Sequence, residues 1–332
     1  MMRESRLHYT YVLAVSLVTL AVIGFLFFGV SNFDSRLVQE FKAHHSLIYR
    51  VRYSPDGTKA LSSSLDGLIN LWDLVEGRQI DRFQGHRSGV RDIEFSKDGD
   101  RFYSAGMDAT VRFWEVNTGV EILRFIGHQA AVYSVDVNES ARKVVSSGAD
   151  QTVRCWDPAT GDEVWRFYGS ETSTGTIFVA RMTPGGDRVL AGCEDRSIRV
   201  LDADTGVEVS RLLGHNVAVL SLDISPDGMQ VVSSGSGKDI LLWNLDKETF
   251  TKLPNHHIGA IREVAFSPDG KWLLSGSFDK TIAVYDAKTG VEVERFQNGQ
   301  IPVYCVQISP DGSNALSGDY RGILRQWRLA GA

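Results

Sequence analysis

The chain has 332 residues, 43% hydrophobic and 23% charged, with 41 acidic against 35 basic side chains and a formal charge of −6. A body this acidic lacks the basic stripe that nucleic-acid binding requires, so nucleic acid is not an expected partner. Cys155, Cys193 and Cys305 show no paired spacing and no CxxC element, which makes buried thiols a simpler expectation than a disulfide or a metal site.

Residues 1–8 form a short tail whose Arg3, Glu4 and Arg6 are the only Asp, Glu, Lys or Arg before Asp34. From Tyr9 to Phe33 no such residue occurs, and Val12 to Val30 is almost wholly apolar. At roughly 1.5 Å per residue that run can cross a hydrocarbon core of about 30 Å. A transmembrane helix is therefore predicted over 9–30, followed by a linker over 31–36. A cleaved signal peptide is the competing reading, because Gly29 and Ser31 are small residues suited to a cleavage site. Its apolar segment would be only about 7 to 15 residues long, however. Arg3, Arg6 and the terminal amine precede the span, whereas Asp34, Arg36, Glu40 and Lys42 behind it balance one another. The positive-inside tendency then favours a cytoplasmic N-terminus and an extracytoplasmic body, periplasmic if the source is bacterial; the bias is small, and a cytoplasmic body is the alternative.

After residue 36 the sequence repeats. Trp72, Trp114, Trp156, Leu201, Trp243, Tyr285 and Trp327 stand at intervals of 42, 42, 45, 42, 42 and 42 residues. Ser54, Ser96, Asn138, Thr183, Ser225, Ser267 and Ser309 keep the same beat, opening a turn that reads SPDG in four copies and SKDG in one. A period of 40 to 45 residues marks a stacked array, because one such unit cannot bury its apolar faces alone. Each copy reads as four short strands. In the second copy these are Val90 to Phe95, Phe102 to Ala105, Val111 to Glu115 and Val120 to Phe125, separated by Gly, Asp and Asn turns. No helical period appears beyond residue 36, so the fold class is all-β.

These residues resemble the WD40 family over 37–332. The chain has Gly85-His86, Gly127-His128 and Gly214-His215, the pairs Trp72-Asp73 and Trp156-Asp157, and an Asp six residues before the Trp position at Asp66, Asp108, Asp150, Asp195 and Asp279. The resemblance implies a seven-bladed β-propeller with a hydrogen-bonded tetrad in each complete blade. The tetrads are His44, Ser62, Asp66 and Trp72 in blade 1, His86, Ser104, Asp108 and Trp114 in blade 2, and His128, Ser146, Asp150 and Trp156 in blade 3. The histidines are then structural: the Asp fixes the imidazole and the Ser links it to the indole. Several blades depart from this pattern. Blade 5 has Gly237 for the Asp, blade 6 has Tyr285 for the Trp, and blade 7 has Gly299 and Arg321 for the His and Asp. Blade 4 has Ser173, Ala191 and Leu201 at three tetrad positions and three extra residues in the loop from Gly169 to Thr176. Blades 4 and 7 are expected to be the least rigid. The last copy stops without a fourth strand, whereas Leu37 to Phe41 matches the outer strands of other copies, so the N-terminal segment should close the ring. That strand should begin on the face opposite the His loops.

Inside each first strand the apolar residues fall four, seven and nine positions after the His position, as in Val90, Ile93 and Phe95. The three-residue step implies a β-bulge. It turns the fifth residue toward the channel mouth, and the WD40 resemblance puts that residue and two neighbouring positions on the partner-binding face. They are Tyr49, Arg91, Tyr133, Phe178, Leu220, Arg262 and Tyr304, with Leu47 and Pro302 on one side and Leu65, Met107, Phe278 and Tyr320 on the other. Aromatics, Met and Arg are the residues of interface cores. Plugging of the channel mouth is the blander role for some of them.

Catalytic motifs are missing: no P-loop, GxSxG or HExxH occurs, and the doublets His44-His45 and His256-His257 have no carboxylate or thiol at ligand spacing. The expected protein is a membrane-anchored, non-catalytic scaffold or accessory subunit. It binds one or more proteins at the top face and contacts the membrane through its N-terminal helix; no cofactor, metal or small-molecule substrate is expected. A soluble exported binding module and a propeller enzyme are the alternatives.

Overall fold

The computed structural model describes residues 35–169 and 175–329. The tail 1–8, the predicted span 9–30, linker residues 31–34 and Ser173 lie outside them. Among the described residues no helix is long and apolar enough to cross a membrane.

Seven antiparallel sheets of four strands make up the described chain. Blade 2 shows the plan with strands Val90–Phe95, Arg101–Gly106, Thr110–Glu115 and Glu121–Ile126. β-branched and aromatic side chains favour these extended runs, and the polar turns stop them. In the first turn the Ser96 hydroxyl donates to Asp98 at 2.5 Å and accepts from the Arg101 N–H at 3.0 Å. Gly99 takes a φ of +76°, which a side chain would resist.

Closure is by the N-terminal strand. Leu37–Lys42 lies antiparallel to Ile323–Arg328, with Leu37 opposite Trp327 and Lys42 opposite Ile323, and forms the outer edge of blade 7. The Ala43 and His44 N–H groups both donate to the Gly322 carbonyl, at 2.9 and 3.0 Å. Phe41 therefore ends beside the His loops, and Leu37 starts on the face that carries the SPDG turns.

The core lies between blades. Leu61, Ile69, Leu71 and Phe83 of blade 1 meet Val90, Ile93, Phe102 and Trp114 of blade 2 in one buried cluster, and the other interfaces repeat the arrangement. Each sheet thus removes from water the apolar face that its neighbour leaves open. All three cysteines are free and buried in these interfaces, and burial pushes each thiol up to about 12.

The tetrads hold the His loops onto the sheets. In blade 2, His86 Nδ1 lies 2.9 Å from Asp108 and Nε2 lies 2.8 Å from the Ser104 hydroxyl, which also accepts from Trp114 Nε1 at 2.8 Å. An ionised carboxylate only accepts, so Nδ1 carries the proton and Nε2 takes the hydroxyl proton. His128, Ser146, Asp150 and Trp156 repeat this at 2.8 Å throughout, and His44, Ser62, Asp66 and Trp72 at 2.8 to 3.1 Å.

A fifth member went unseen in the sequence. Two residues before the Trp position, Arg112, Arg154, Arg199 and Arg325 are buried. Arg112 bonds Asp108 at 3.0 Å and Glu121 of the outer strand at 2.8 Å. Arg154 joins Asp150 to Glu163 in the same way. Burial opposes ionisation of Asp108 and Asp150, but the histidine bonds hold both well below the usual carboxylate range.

The incomplete blades find other solutions. Blade 4 has no tetrad, yet Asp195 keeps its ion pair with Arg199, which also bonds Glu208 at 2.9 Å. In blade 5, His215 reaches Ser233 at 2.7 Å while its Nδ1 is buried without a partner, because Gly237 offers no acceptor. In blade 7 the Gly299 and Arg321 substitutions are compensated by neighbours. Asn298 accepts from Ser317 at 2.8 Å, Ser317 accepts from Trp327 at 2.8 Å, and Asp319 takes up Arg325 at 2.7 Å. The polar link is rebuilt one residue before the His position and two before the Asp position.

Candidate interaction surface

Each innermost strand shifts register once, at Ile48/Arg50, Val90/Asp92, Val132/Ser134, Ile177/Val179, Val219/Ser221, Ile261/Glu263 and Val303/Cys305. The residue skipped in each is Tyr49, Arg91, Tyr133, Phe178, Leu220, Arg262 or Tyr304. A bulged residue has no ladder partner opposite, and its side chain is re-aimed. Seven such residues thus ring one mouth of the channel.

Six of them form a continuous chain of contacts with two loop residues. The Arg91 guanidinium lies 4.3 Å from the Tyr49 ring centre and 4.5 Å from that of Tyr133, while Tyr133 stacks on Phe178 at 5.8 Å. Arg262 lies 4.5 Å from the Tyr304 ring centre and 5.8 Å from that of Phe278. Tyr49 meets Tyr304 edge-on at 5.4 Å, and Tyr320 meets Tyr304 and Phe278 at 5.6 and 5.5 Å. The two arginines converge on the Tyr304 hydroxyl, which accepts from Arg91 at 3.3 Å and from Arg262. Tyr320 and Leu65 are 45% and 44% exposed and stand proud of the mouth. Met107, Leu220 and Pro302 are half-buried at its rim. Leu47 and Tyr304 are buried, at 8% and 9% exposure, and the Leu47 carbonyl accepts from the Leu65 N–H.

Deeper in the channel lies a charged layer that sequence reasoning missed. Arg50 pairs with Asp92 at 2.6 Å and with Glu263, Arg52 with Glu94 at 2.8 Å, and Arg181 with Asp92 at 3.2 Å. Innermost strands are sheet edges whose N–H groups need acceptors. Acceptors from neighbouring blades supply them: Asp92 accepts from Val135 at 3.1 Å, Asp136 from Met182 at 2.7 Å, Asp223 from Phe266 at 2.8 Å and Glu263 from Val306 at 2.9 Å. Burial raises Asp136 to about 7, against the pull of Arg181. The signal available was charge at the sixth and eighth positions after the His, in strands otherwise apolar. A cavity of about 260 Å³ beside this layer is lined by Arg50, Arg52, Glu94, Asp136, Arg181 and Asp223 among others.

Residues with reactive potential are otherwise engaged. His257 sits between Asp279 and Ser275 at 2.8 and 2.7 Å, and exposed His256 bonds Glu292 at 3.2 Å. Asp202 caps its own turn through the Asp204 and Thr205 N–H groups. Among the described residues no three His, Cys, Asp or Glu are grouped to hold a metal ion.

Residues 35–73, 77–115, 119–157, 206–244, 247–286 and 292–328 match the family described as WD domain, G-beta repeat. The chain belongs to the WD40 family. The stretch between 157 and 206, outside these matches, contains most of blade 4, the WD40 unit that has lost its tetrad. The chain is also similar to a serine-threonine kinase receptor-associated protein of Gallus gallus, 28% identical over 143 residues, which are 43% of this chain and 40% of that one. Similarity to the small ribosomal subunit protein RACK1y of Oryza sativa subsp. japonica is 27% over 172 residues, 48% of this chain and 50% of that protein. Striatin-3 of Rattus norvegicus is 39% identical over 56 residues, 17% of this chain and 7% of its own length. The WD40 chain thus spans half or less of the length of these relatives.

Proposed function

We propose that the protein is a non-catalytic interaction platform whose channel-mouth face binds a protein partner and whose N-terminal segment holds it at a membrane with the ring extracytoplasmic. The observation that carries the binding face is the contiguous cluster of Arg91, Arg262 and their tyrosine and phenylalanine neighbours at the rim. Such clusters concentrate binding energy in protein interfaces. The histidines of blades 1, 2, 3 and 6 are committed to Asp and Ser partners and the thiols are held in the protonated form, which speaks against catalysis by either. The names of two relatives, a kinase receptor-associated protein and a small ribosomal subunit protein, describe proteins that work within larger assemblies. The membrane tether rests on the uncharged run from Tyr9 to Phe33. The closing strand begins at Leu37 on the face opposite the aromatic cluster.

Photo-crosslinking in membranes of the source cell tests both parts. A crosslinker replacing Tyr320 should trap a partner protein, whereas one replacing Lys97 in the opposite turn should not. Trapping from Lys97 alone would reverse the face. Alkaline carbonate should leave the chain in the membrane pellet with its N-terminal residues intact; release with loss of residues up to about 31 would instead support the exported soluble module.

A further inference from the structure

We infer that the face takes a carboxylate: an acidic peptide segment of the partner places an Asp or Glu side chain against Arg91 and Arg262. This rests on the reading of the channel mouth as partner-binding. Every other buried or half-buried arginine of the described residues already has a carboxylate: Arg36 with Glu294, Arg50 and Arg181 with Asp92, Arg52 with Glu94, Arg112 with Asp108, Arg154 with Asp150, Arg188 with Asp187, Arg199 with Asp195, Arg295 with Glu292 and Arg325 with Asp319. Arg91 and Arg262 meet tyrosine and phenylalanine side chains and no carboxylate, and the Nε of each is buried with no acceptor. A buried guanidinium donor without an acceptor is costly, and the cost is relieved by a bound acceptor.

The surroundings select the class of ligand. No Asp or Glu is among the thirteen face residues; the rim carboxylates Asp66, Asp108, Asp150, Asp195, Asp279 and Asp319 are taken by histidine or arginine, and Glu194, at the blade 4 position that Met107 and Phe278 hold in blades 2 and 6, accepts from the Thr176 N–H at 2.8 Å. The face is therefore a positive spot on a chain of net charge −6. Tyr49, Tyr133 and Tyr304 hold the guanidinium planes, so little side-chain freedom remains to be lost when a planar acceptor docks. The aromatic rim covers the apolar atoms of flanking residues, which favours a peptide over a free anion. The deeper charged layer offers no comparable vacancy, since Arg50, Arg52 and Arg181 are matched within it.

The test uses the full-length chain in detergent against a bead-displayed library of random heptapeptides that includes phosphoserine. Recovered peptides should be enriched in Asp or Glu over Asn and Gln at one position. Changing that residue to its amide, or combining Arg91→Gln with Arg262→Gln, should weaken binding by roughly ten- to hundredfold. Arg91→Lys with Arg262→Lys should retain part of it. Thermal unfolding checks each variant, and if the Gln variant unfolds, the peptide-side change decides. Peptides lost on Tyr133→Ala with Tyr320→Ala but showing no acidic preference would overturn the carboxylate and leave the face standing. Phosphoserine displacing Asp and Glu would also overturn it. Peptides indifferent to Tyr133 and Tyr320, or no recovered peptide, would overturn both.

Discussion

Blades 2 and 5 share strand order, turn chemistry and the Ser–Trp link, but differ in how they treat the histidine. In blade 2, Asp108 holds His86, the Arg87 N–H, Thr110 and Arg112 together. In blade 5, Gly237 leaves His215 Nδ1 orphaned, and Leu241 stands where the arginine would be. Both sheets are nevertheless complete. The tetrad therefore fastens the loop onto a sheet that interblade burial already makes, and a single lost acceptor is tolerated locally. Burial, with no carboxylate beside it to oppose strongly, presses His215 down to about 4.

The largest test of this contrast is Asp108→Ala. It leaves Arg112 and His86 buried without their common acceptor and should lower stability by about 3 kcal/mol in urea or thermal unfolding. Asp195→Ala in blade 4 removes an ion pair but no histidine bond and should cost less, about 1 to 2 kcal/mol. Equal losses would show that the histidine bond adds nothing.

Gly237→Asp should go the other way. A Cβ there meets Val217 at 3.3 Å, so a small adjustment admits the side chain, and an acceptor for His215 Nδ1 should add about 1 kcal/mol. The pH dependence sharpens this. A histidine whose folded value lies below its unfolded value contributes stability above about 6.5 that is lost as pH falls toward 4. The advantage of Gly237→Asp should therefore widen between pH 6.5 and 4. A constant difference across that range would separate His215 from the effect.

The smallest effect at neutral pH is expected in the channel. Asp136 is raised by burial, with Glu94 and Asp92 adding to the rise and Arg181 opposing it, so its contribution is present at low pH and lost as pH rises through about 7. Asp136→Asn cannot ionise and can still accept from Met182. Its melting temperature should match the parent near pH 6 and exceed it increasingly toward pH 8. A parallel pair of pH profiles would place the Asp136 titration elsewhere.

How much could be read in advance depended on whether a feature repeats. Strands, turns and bulges recur at one offset in seven copies and the tetrads in blades 1 to 3, so the copies reinforce each signal, and the predicted strand limits of blade 2 differ from the observed ones by about one residue. Arg112 and its counterparts also recur, but a charged residue inside an apolar strand reads as an exposed one until the outer-strand Glu is placed beside it. In blade 7 a column-by-column comparison finds Gly299 and Arg321 but not their replacements, because Asn298 and Asp319 fill the missing roles from neighbouring columns.

By itself the sequence determined the all-β class, the seven-unit count, the closing strand and the uncharged N-terminal run, because period, alternation and turn chemistry are local and act within about forty residues. The tertiary structure alone decided which side chains meet across the channel. Arg91 and Tyr304 are 213 residues apart, and Arg181 and Asp92 are 89 apart. Such pairs arise from ring closure, which brings the innermost strands together around one axis, and no local pattern encodes that distance.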